Sequence, residues 1–169
     1  MQYWSSYESP FGTIIMAVQD QGLCGLWFED QKYACAALDK DAVYADHEIL
    51  ELCRQWLELY FQGQEPNLQV PLNLQGTPFQ KAVWNQLLTI PFGTTVTYKD
   101  IALQTCRQLQ SPHPAFQAVG RAIGRNPVSI LVPCHRVIGS DGTLRGYAGG
   151  LKRKQALLDL EHAKMKPSS

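Results

Sequence analysis

The stretch from Gly63 to Gly76 carries Pro66 and Pro71 and interrupts every apolar repeat that precedes it. Proline has no amide to donate and its ring blocks the preceding turn, so neither a helix nor a central strand runs through such a stretch. The domain boundary is placed within it: 1–70, 71–162, and a polar tail over 163–169 expected to be disordered. With 169 residues, 45% of them hydrophobic, there is apolar material for one domain or for two small ones sharing an interface.

The first unit opens with a β-rich run, Thr13 to Val18, the turn-like Gln19-Asp20-Gln21-Gly22, and a second apolar run, Leu23 to Phe28. That order predicts a hairpin. Over 45–62, Ile49, Leu52, Cys53, Trp56 and Leu59 or Tyr60 recur every three or four positions, which predicts a helix.

The second unit restarts with Thr77 as an N-cap and Pro78 at the first helical position, then Phe79, Val83, Leu87 and Ile90 on one stripe before Pro91. Thr97 caps a further short helix through Tyr98, Ile101 and Ala102. After Ser111-Pro112-His113-Pro114 a third helical pattern sets Phe116, Val119 and Ile123 on one face and Gln117 and Arg121 on another. A helical pair whose second member has a polar, basic outer face fits a helix-turn-helix laid along DNA, although any packed helical pair reads the same way. Val128 to Val132 is β-branched and predicts a short strand; a glycine-rich loop, Gly139 to Gly150, and a last helix with Leu151, Leu157 and Leu158 follow.

No apolar run reaches membrane-spanning length, and Met1 to Gly12 has neither the basic start nor the apolar core of a signal peptide, so a soluble, cytoplasmic protein without membrane contact is expected. Net charge is zero, but its distribution is not even. Lys99 to Lys154 holds nine basic residues against two acidic ones, +7, which leaves −7 elsewhere. A basic back half fits a polyanionic partner.

Five cysteines in irregular spacing form no C-x-x-C pair, and the four histidines show no zinc pattern, so no metal site is expected. Each thiol is then a small core residue or a nucleophile. Cys24, Cys35, Cys53 and Cys106 read as structural or incidental. Cys134 differs: it sits in Pro133-Cys134-His135-Arg136-Val137, where a base and a positive charge follow at once. A nucleophilic thiol needs both, because at its ordinary pKa little of it is thiolate. Glu161, four residues after Leu157 and three after Leu158, shares their helical face and is positioned to orient His135. By spacing alone, Cys134 equally describes an inert buried thiol and Glu161 an exposed last-turn residue.

Pro133-Cys134-His135-Arg136-Val137, preceded by Gly124-Arg125-Asn126-Pro127-Val128 and followed by Gly146-Tyr147-Ala148-Gly149-Gly150-Leu151, closely resembles the active-site region of the O6-alkylguanine-DNA alkyltransferases, the bacterial Ogt-like members above all. The likeness runs from about Thr77 to Glu161, through Phe79 to Trp84, Ile90-Pro91-Phe92-Gly93 and Val96-Thr97-Tyr98. Ser9-Pro10-Phe11-Gly12 with Gly22-Leu23 is similar to the family's first half. It implies an N-terminal ribonuclease-H-like α/β domain and a mainly α C-terminal domain with a winged-helix-like helix-turn-helix used in the minor groove of double-stranded DNA.

It also implies the reaction: an alkyl group on guanine O6, and by extension O4 of thymine, passes irreversibly to Cys134, once per molecule, without cofactor, in a chain expected to be monomeric. His135 is then the water-mediated base and Glu161 its orienting partner. Asn126 is the buried asparagine tying the helix-turn-helix to the active-site turn, and Tyr98 the tyrosine that assists proton uptake by the leaving guanine. Tyr147, Ala148 and Gly149 wall the guanine pocket, small residues leaving room for the alkyl group. Gln117, Ala118, Arg121 and Arg125 face DNA, whereas Arg136 anchors the turn.

Two departures stand out. The family pattern has an arginine immediately before Ala-Val-Gly, where this chain has Gln117, and the stretch from Tyr98 to Gln117 is about five residues longer than usual. Glutamine hydrogen-bonds but lacks charge and a stacking plane, with Arg121 one turn on as a partial substitute. Transfer from free O6-benzylguanine is therefore expected to lie near the family norm, and transfer from duplex DNA to be weaker than that norm. The competing reading from another class is a non-catalytic, alkyltransferase-like lesion sensor, which usually replaces the acceptor cysteine. A cysteine hydrolase would need an oxyanion hole, and a helix-turn-helix regulator would need the zinc-cysteine module missing here.

Overall fold

The structure, a computed structural model, describes residues 1–31, 34 and 38–165, and of 163–165 the backbone alone. Cys35 and residues 166–169 of the expected tail lie outside the described residues. Asp20 and Gln21 have positive φ (52° and 64°) and link strands whose register closes at Gln19↔Gly22. Two left-handed central residues match the right-handed twist of the flanking strands, which is why this turn makes a tight hairpin. Its strands are β2 (Gly12–Gln19) and β3 (Gly22–Phe28).

A strand that the sequence reading missed, β1 (Gln2–Ser9), pairs antiparallel with β2, and a short β4 (Val43–Tyr44) adds to it in parallel, in the order β3-β2-β1-β4. Successive residues of β2 point to opposite faces. Ile14, Met16 and Val18 enter the main core, while Ile15 and Ala17 join Cys24 and Trp27 in a second cluster on the other face.

Helix α1 (Glu48–Phe61) lies within the expected 45–62 and is capped by His47, whose Nδ1 accepts from the Ile49 amide at 3.1 Å. It buries Ile49, Leu50, Cys53, Leu57 and Tyr60. The proline-bearing break is not a free linker. Leu23 donates its amide to the Pro71 carbonyl at 2.8 Å and accepts from the Asn73 amide at 2.9 Å, so the segment lies along the outer edge of β3.

Helix α2 (Pro78–Leu87) starts as the sequence predicts, with Thr77 and Gln80 exchanging hydrogen bonds in a capping box. Thr97 and Asp100 repeat the motif for α3 (Tyr98–Leu109), a longer helix than Tyr98 to Ala102 alone would need. Gln110 ends it in the left-handed conformation (φ 54°). Residues 110–115 link it to α4 (Phe116–Gly124). Val119, Ala122 and Ile123 are buried, but Phe116 is not: 51% of it is exposed, against the expected shared face.

The predicted strand over 128–132 is not a strand. Val128 makes one isolated bridge to Leu26, and the chain then knots, with Ile130 at φ 72° and Val132 donating back to the Val128 carbonyl at 3.1 Å. Asn126 holds this knot from inside, accepting from the Val128 amide at 3.0 Å and donating to the Val132 carbonyl at 2.7 Å. The β-branched pattern was a true sign of burial; the local hydrogen bonding of an asparagine overrode extension.

A single 3-10 turn, Cys134–Arg136, leads into β6 (Val137–Ile138), parallel to β5 (Val96–Thr97). Helix α5 (Leu151–Met165) closes the chain and continues past Ala163, where the disordered tail was expected to begin. One core, including Leu26 and Phe28 of β3, Leu57 of α1, Trp84 of α2, Val119 of α4 and Leu157 of α5, spans both halves. Among the described residues, no helix is long and apolar enough to cross a membrane, and no group of three or more His, Cys, Asp or Glu side chains is placed to hold a metal ion.

Candidate active site

Cys134 begins the 3-10 turn and is buried. It borders a cavity of about 420 Å³ also lined by Tyr98, Asn126, Ser129, Tyr147 and Ala148 and, on the α4 side, by Gly120, Arg121, Gly124 and Arg125. Burial pushes its thiol above the ordinary value, against a side-chain hydrogen bond from Asn126 and the charge of Lys154, which both pull it down. At rest the sulfur therefore keeps its proton, and a base has to take it.

His135 is completely buried beside it. Its Nε2 is 2.5 Å from Oε2 of Glu161, and its Nδ1 has no hydrogen-bond partner in the protein. Burial lowers the imidazole pKa against the pull of Glu161, so the ring is neutral and one nitrogen is available.

Glu161 has four donors around it. His135 and the Tyr60 hydroxyl, at 2.5 Å, meet Oε2; Arg136 Nε, at 2.8 Å, and the Gly93 amide, at 3.0 Å, meet Oε1. Burial alone would raise this carboxyl, but the His135 and Arg136 hydrogen bonds outweigh it and hold it at about 2. Arg136 also donates to the Ile90 carbonyl at 2.8 Å, which fixes the turn to the end of α2. The helical spacing that paired Glu161 with His135 thus describes the folded chain, whereas Tyr60, from the first half, was not foreseen.

Tyr98 borders the cavity, and its hydroxyl donates to the Arg145 carbonyl at 3.0 Å. Mainly through burial its pKa is pushed up to about 12, so it stays protonated. Lys154, counted in the sequence among the basic residues of the back half, is fully buried. Its Nζ donates to the same Arg145 carbonyl at 2.6 Å and to that of Gly146 at 3.2 Å, and stands 5.6 Å from the Tyr98 ring centre. Burial lowers it to about 8. Its position seven residues before Glu161 and three before Leu157, on the same helical stripe, was the available signal. Ser129, buried in the cavity wall, left none.

The remaining site residues divide. Tyr147 and Ala148 wall the cavity; Gly149 does not, and stands behind Tyr147, where an added Cβ would fall 2.7 Å from that ring. Gln117 and Arg121 are exposed one turn apart on α4, as is Arg125 at its end. Ala118 is partly buried, and neither it nor Gln117 reaches the cavity. The local excess of positive charge is also smaller at the surface than in the sequence. Arg136 and Lys154 face inward, Arg145 pairs with Asp141 at 3.4 Å, and Arg153 ties α5 to the first half through Asp30 at 2.7 Å and the Phe11 carbonyl at 2.8 Å.

Residues 78–163 match the DNA binding domain, and residues 2–74 the ribonuclease-like domain, of 6-O-methylguanine DNA methyltransferase. The chain belongs to this family. Relatives named methylated-DNA–protein-cysteine methyltransferase include that of Methanosarcina barkeri, 44% identical over 94% of this chain and 96% of its own length. That of Mycobacterium leprae is 42% identical over 95% and 93%. The Mycobacterium tuberculosis O6-methylguanine methyltransferase superposes with a TM-score of 0.82 at 39% identity, covering 100% of this chain and 97% of its own. The M. tuberculosis OGT solved in complex with DNA gives the same TM-score at 38% identity, over 96% and 94%. An alkyltransferase fold of this kind, a sheet domain on a helical DNA-binding domain, is what the two halves of the chain form.

Proposed function

We propose that this chain repairs alkylated DNA by direct reversal, as a methylated-DNA–protein-cysteine methyltransferase that moves an alkyl group from guanine O6 to Cys134 and works once. The observation that carries the reading is Cys134 at the floor of a cavity bordered by α4, with a neutral imidazole and an ionised glutamate behind it.

The balance is simple. The thiol proton passes to His135 Nδ1, the sulfur attacks the alkyl carbon in line, an S–C bond forms and the C–O6 bond breaks. The departing guanine takes up one proton, offsetting the one the sulfur lost, so hydrogen and alkyl change places. Tyr98 is the donor facing that guanine, and gives its proton only by releasing the Arg145 carbonyl. Glu161 stabilises the imidazolium, and Asn126 fixes the turn that aims the thiol. Tyr147 and Ala148 hold the base; Gln117, Ala118, Arg121 and Arg125 meet the DNA. Since the target atom lies inside the stack, the nucleotide has to turn out of the duplex. We further place α4 in the minor groove, the chain as a monomer in the cytoplasm, and O4-alkylthymine as a secondary substrate. A non-catalytic lesion sensor is not favoured, because the acceptor thiol and its proton relay are both in place.

Intact mass measurement after incubation with duplex DNA carrying one O6-methylguanine tests this. One methylene, a gain of about 14 Da on Cys134 that is absent from Cys134→Ala, is expected for covalent transfer. Lesion-specific binding with no gain in mass would overturn it in favour of the sensor.

A further inference from the structure

Phe116 is the first residue of α4, and its periodicity with Val119 and Ile123 should bury it, yet half of it is exposed. A single exposed aromatic is ordinary on a protein surface, so position has to decide. Phe116 lines a groove with Tyr98, Gly120 and Gly146, and those three residues also line the Cys134 cavity. The groove and the cavity are therefore continuous. Asp141, which also lines the groove, is paired with Arg145.

Along the line from Phe116 into the cavity, two successive turns of α4 carry no side chain, with Arg121 and Arg125 bordering the cavity beside them. The residues at i+4 and i+8 are Gly120 and Gly124, and a Cβ built on either would meet nothing within 4 Å. The packing of this protein does not demand glycine there; a bare strip of helix is left for something from outside. Eight residues at about 1.5 Å each set Phe116 about 12 Å along the axis from Gly124. An aromatic ring at one end of the strip and the cavity of the acceptor thiol along the rest of it match the two things a turned-out nucleotide leaves and reaches, a gap in the stack and a pocket.

We propose that Phe116 is the wedge that enters the duplex and stacks in the gap left by the alkylated nucleotide, while its neighbour Gln117 hydrogen-bonds the orphaned partner base. Apolar side chains are inserted between base steps by many minor-groove proteins, and aromatic stacking tolerates any sequence because every base has a π-face. The two residues divide the stacking and hydrogen bonding that an arginine would combine. Gln117 is then not the handicap it looks in the sequence. This inference rests on the alkyl-transfer reading and names how that site opens its substrate.

The test compares single-turnover alkylation of Cys134 by duplex DNA bearing O6-methylguanine with alkylation by free O6-benzylguanine, which needs no opening of a stack. Phe116→Ala should lose roughly tenfold with the duplex, the worth of one stacking contact, without a comparable loss with the free base. Phe116→Trp should keep the duplex rate. Gln117→Arg should recover much of the loss in the Phe116→Ala background. The salt dependence of duplex binding should be the same with and without Phe116, since no phosphate contact is removed. An unchanged duplex rate in Phe116→Ala, or equal losses with both substrates, overturns the wedge. A parent protein that accepts no alkyl group from either substrate overturns the proposed function and the wedge with it.

Discussion

The Tyr60 hydroxyl donates to Oε2 of Glu161 at 2.5 Å, across 101 residues of chain and from the first half of the molecule to the last helix. The same carboxylate oxygen meets His135 Nε2. The sheet domain therefore does more than support the helical one, because it supplies one of the four donors that set the charge seen by the base.

Removing that donor in Tyr60→Phe leaves more of the Glu161 charge to His135, so the imidazole pKa should rise. The acid limb of the alkylation rate against pH then moves to higher pH, while folding stability falls by about 1–3 kcal/mol for the lost buried partner. Imidazole titration by NMR beside the pH–rate profile checks this. A loss of stability with an unmoved profile would mean that Tyr60 only packs.

The relay also sets how stability follows pH. Glu161 is held at about 2 against an ordinary 4.5. Its contribution, about 3 kcal/mol for that shift, is present above 4.5 and lost as pH falls from there towards 2. His135, lowered from 6.5 by burial, resists a proton that the unfolded chain accepts, so stability already declines as pH drops below 6.5. Lys154 acts at the other end. Lowered from 10.5 to about 8, it makes the folded state gain stability as pH rises between those values. Urea midpoints from pH 3 to pH 10 should trace these slopes, and Glu161→Gln should flatten the branch below pH 4.5 on top of a general loss of about 3–5 kcal/mol from the stranded Arg136.

Lys154→Met should separate stability from activity. Replacing a buried ammonium by an apolar chain of similar length is often neutral or stabilising, here by about 1–2 kcal/mol. The thiolate loses a positive charge that favours it, and the loop at Arg145 and Gly146 loses a tether. Alkylation of Cys134 should slow, because without that charge the sulfur gives up its proton less readily. Thermal unfolding and single-turnover alkylation, measured on the same sample, decide it; an unchanged rate would leave Lys154 a purely structural group.

Asn126→Ala strands the Val128 amide and the Val132 carbonyl together. A loss of at least about 2 kcal/mol is expected in urea unfolding, with alkylation slowed further because Cys134 follows the knot directly. Asn126→Asp still accepts from Val128 but cannot donate to Val132, and should fall between the two proteins in stability.

Much of this was readable in the chain, and the parts that were not have physical reasons. Thr77-Pro78 with Gln80 and the left-handed pair Asp20-Gln21 are local signals, each determined within one or two turns of backbone, whereas Glu161 was legible through the helical face it shares with Leu157 and Leu158. β1 carries three serines and polar neighbours among its aromatics, so its partners rather than its own pattern make it a strand. The run over 128–132 was apolar for burial, not for extension, and a side-chain amide outside the run chose its shape. Lys154 looked like surface charge because the carbonyls that accept from it become neighbours only when the glycine-rich loop folds back. Tyr60 was counted as core, and it is; that its hydroxyl also reaches a carboxylate 101 residues away has no local signature.

That long reach bears on the order in which the molecule comes alive. Glu161 follows His135 by 26 residues and Tyr60 by 101, so a chain emerging from the ribosome presents Cys134 before the group that orients its base. Domains fold as they are made, amino-terminal part first. Until the last helix is in place, Cys134 lacks the oriented base that the folded site gives it. That helix brings Glu161 to His135 and Lys154 to the loop that walls the cavity, so the proton relay and the pocket are completed by the same piece of chain.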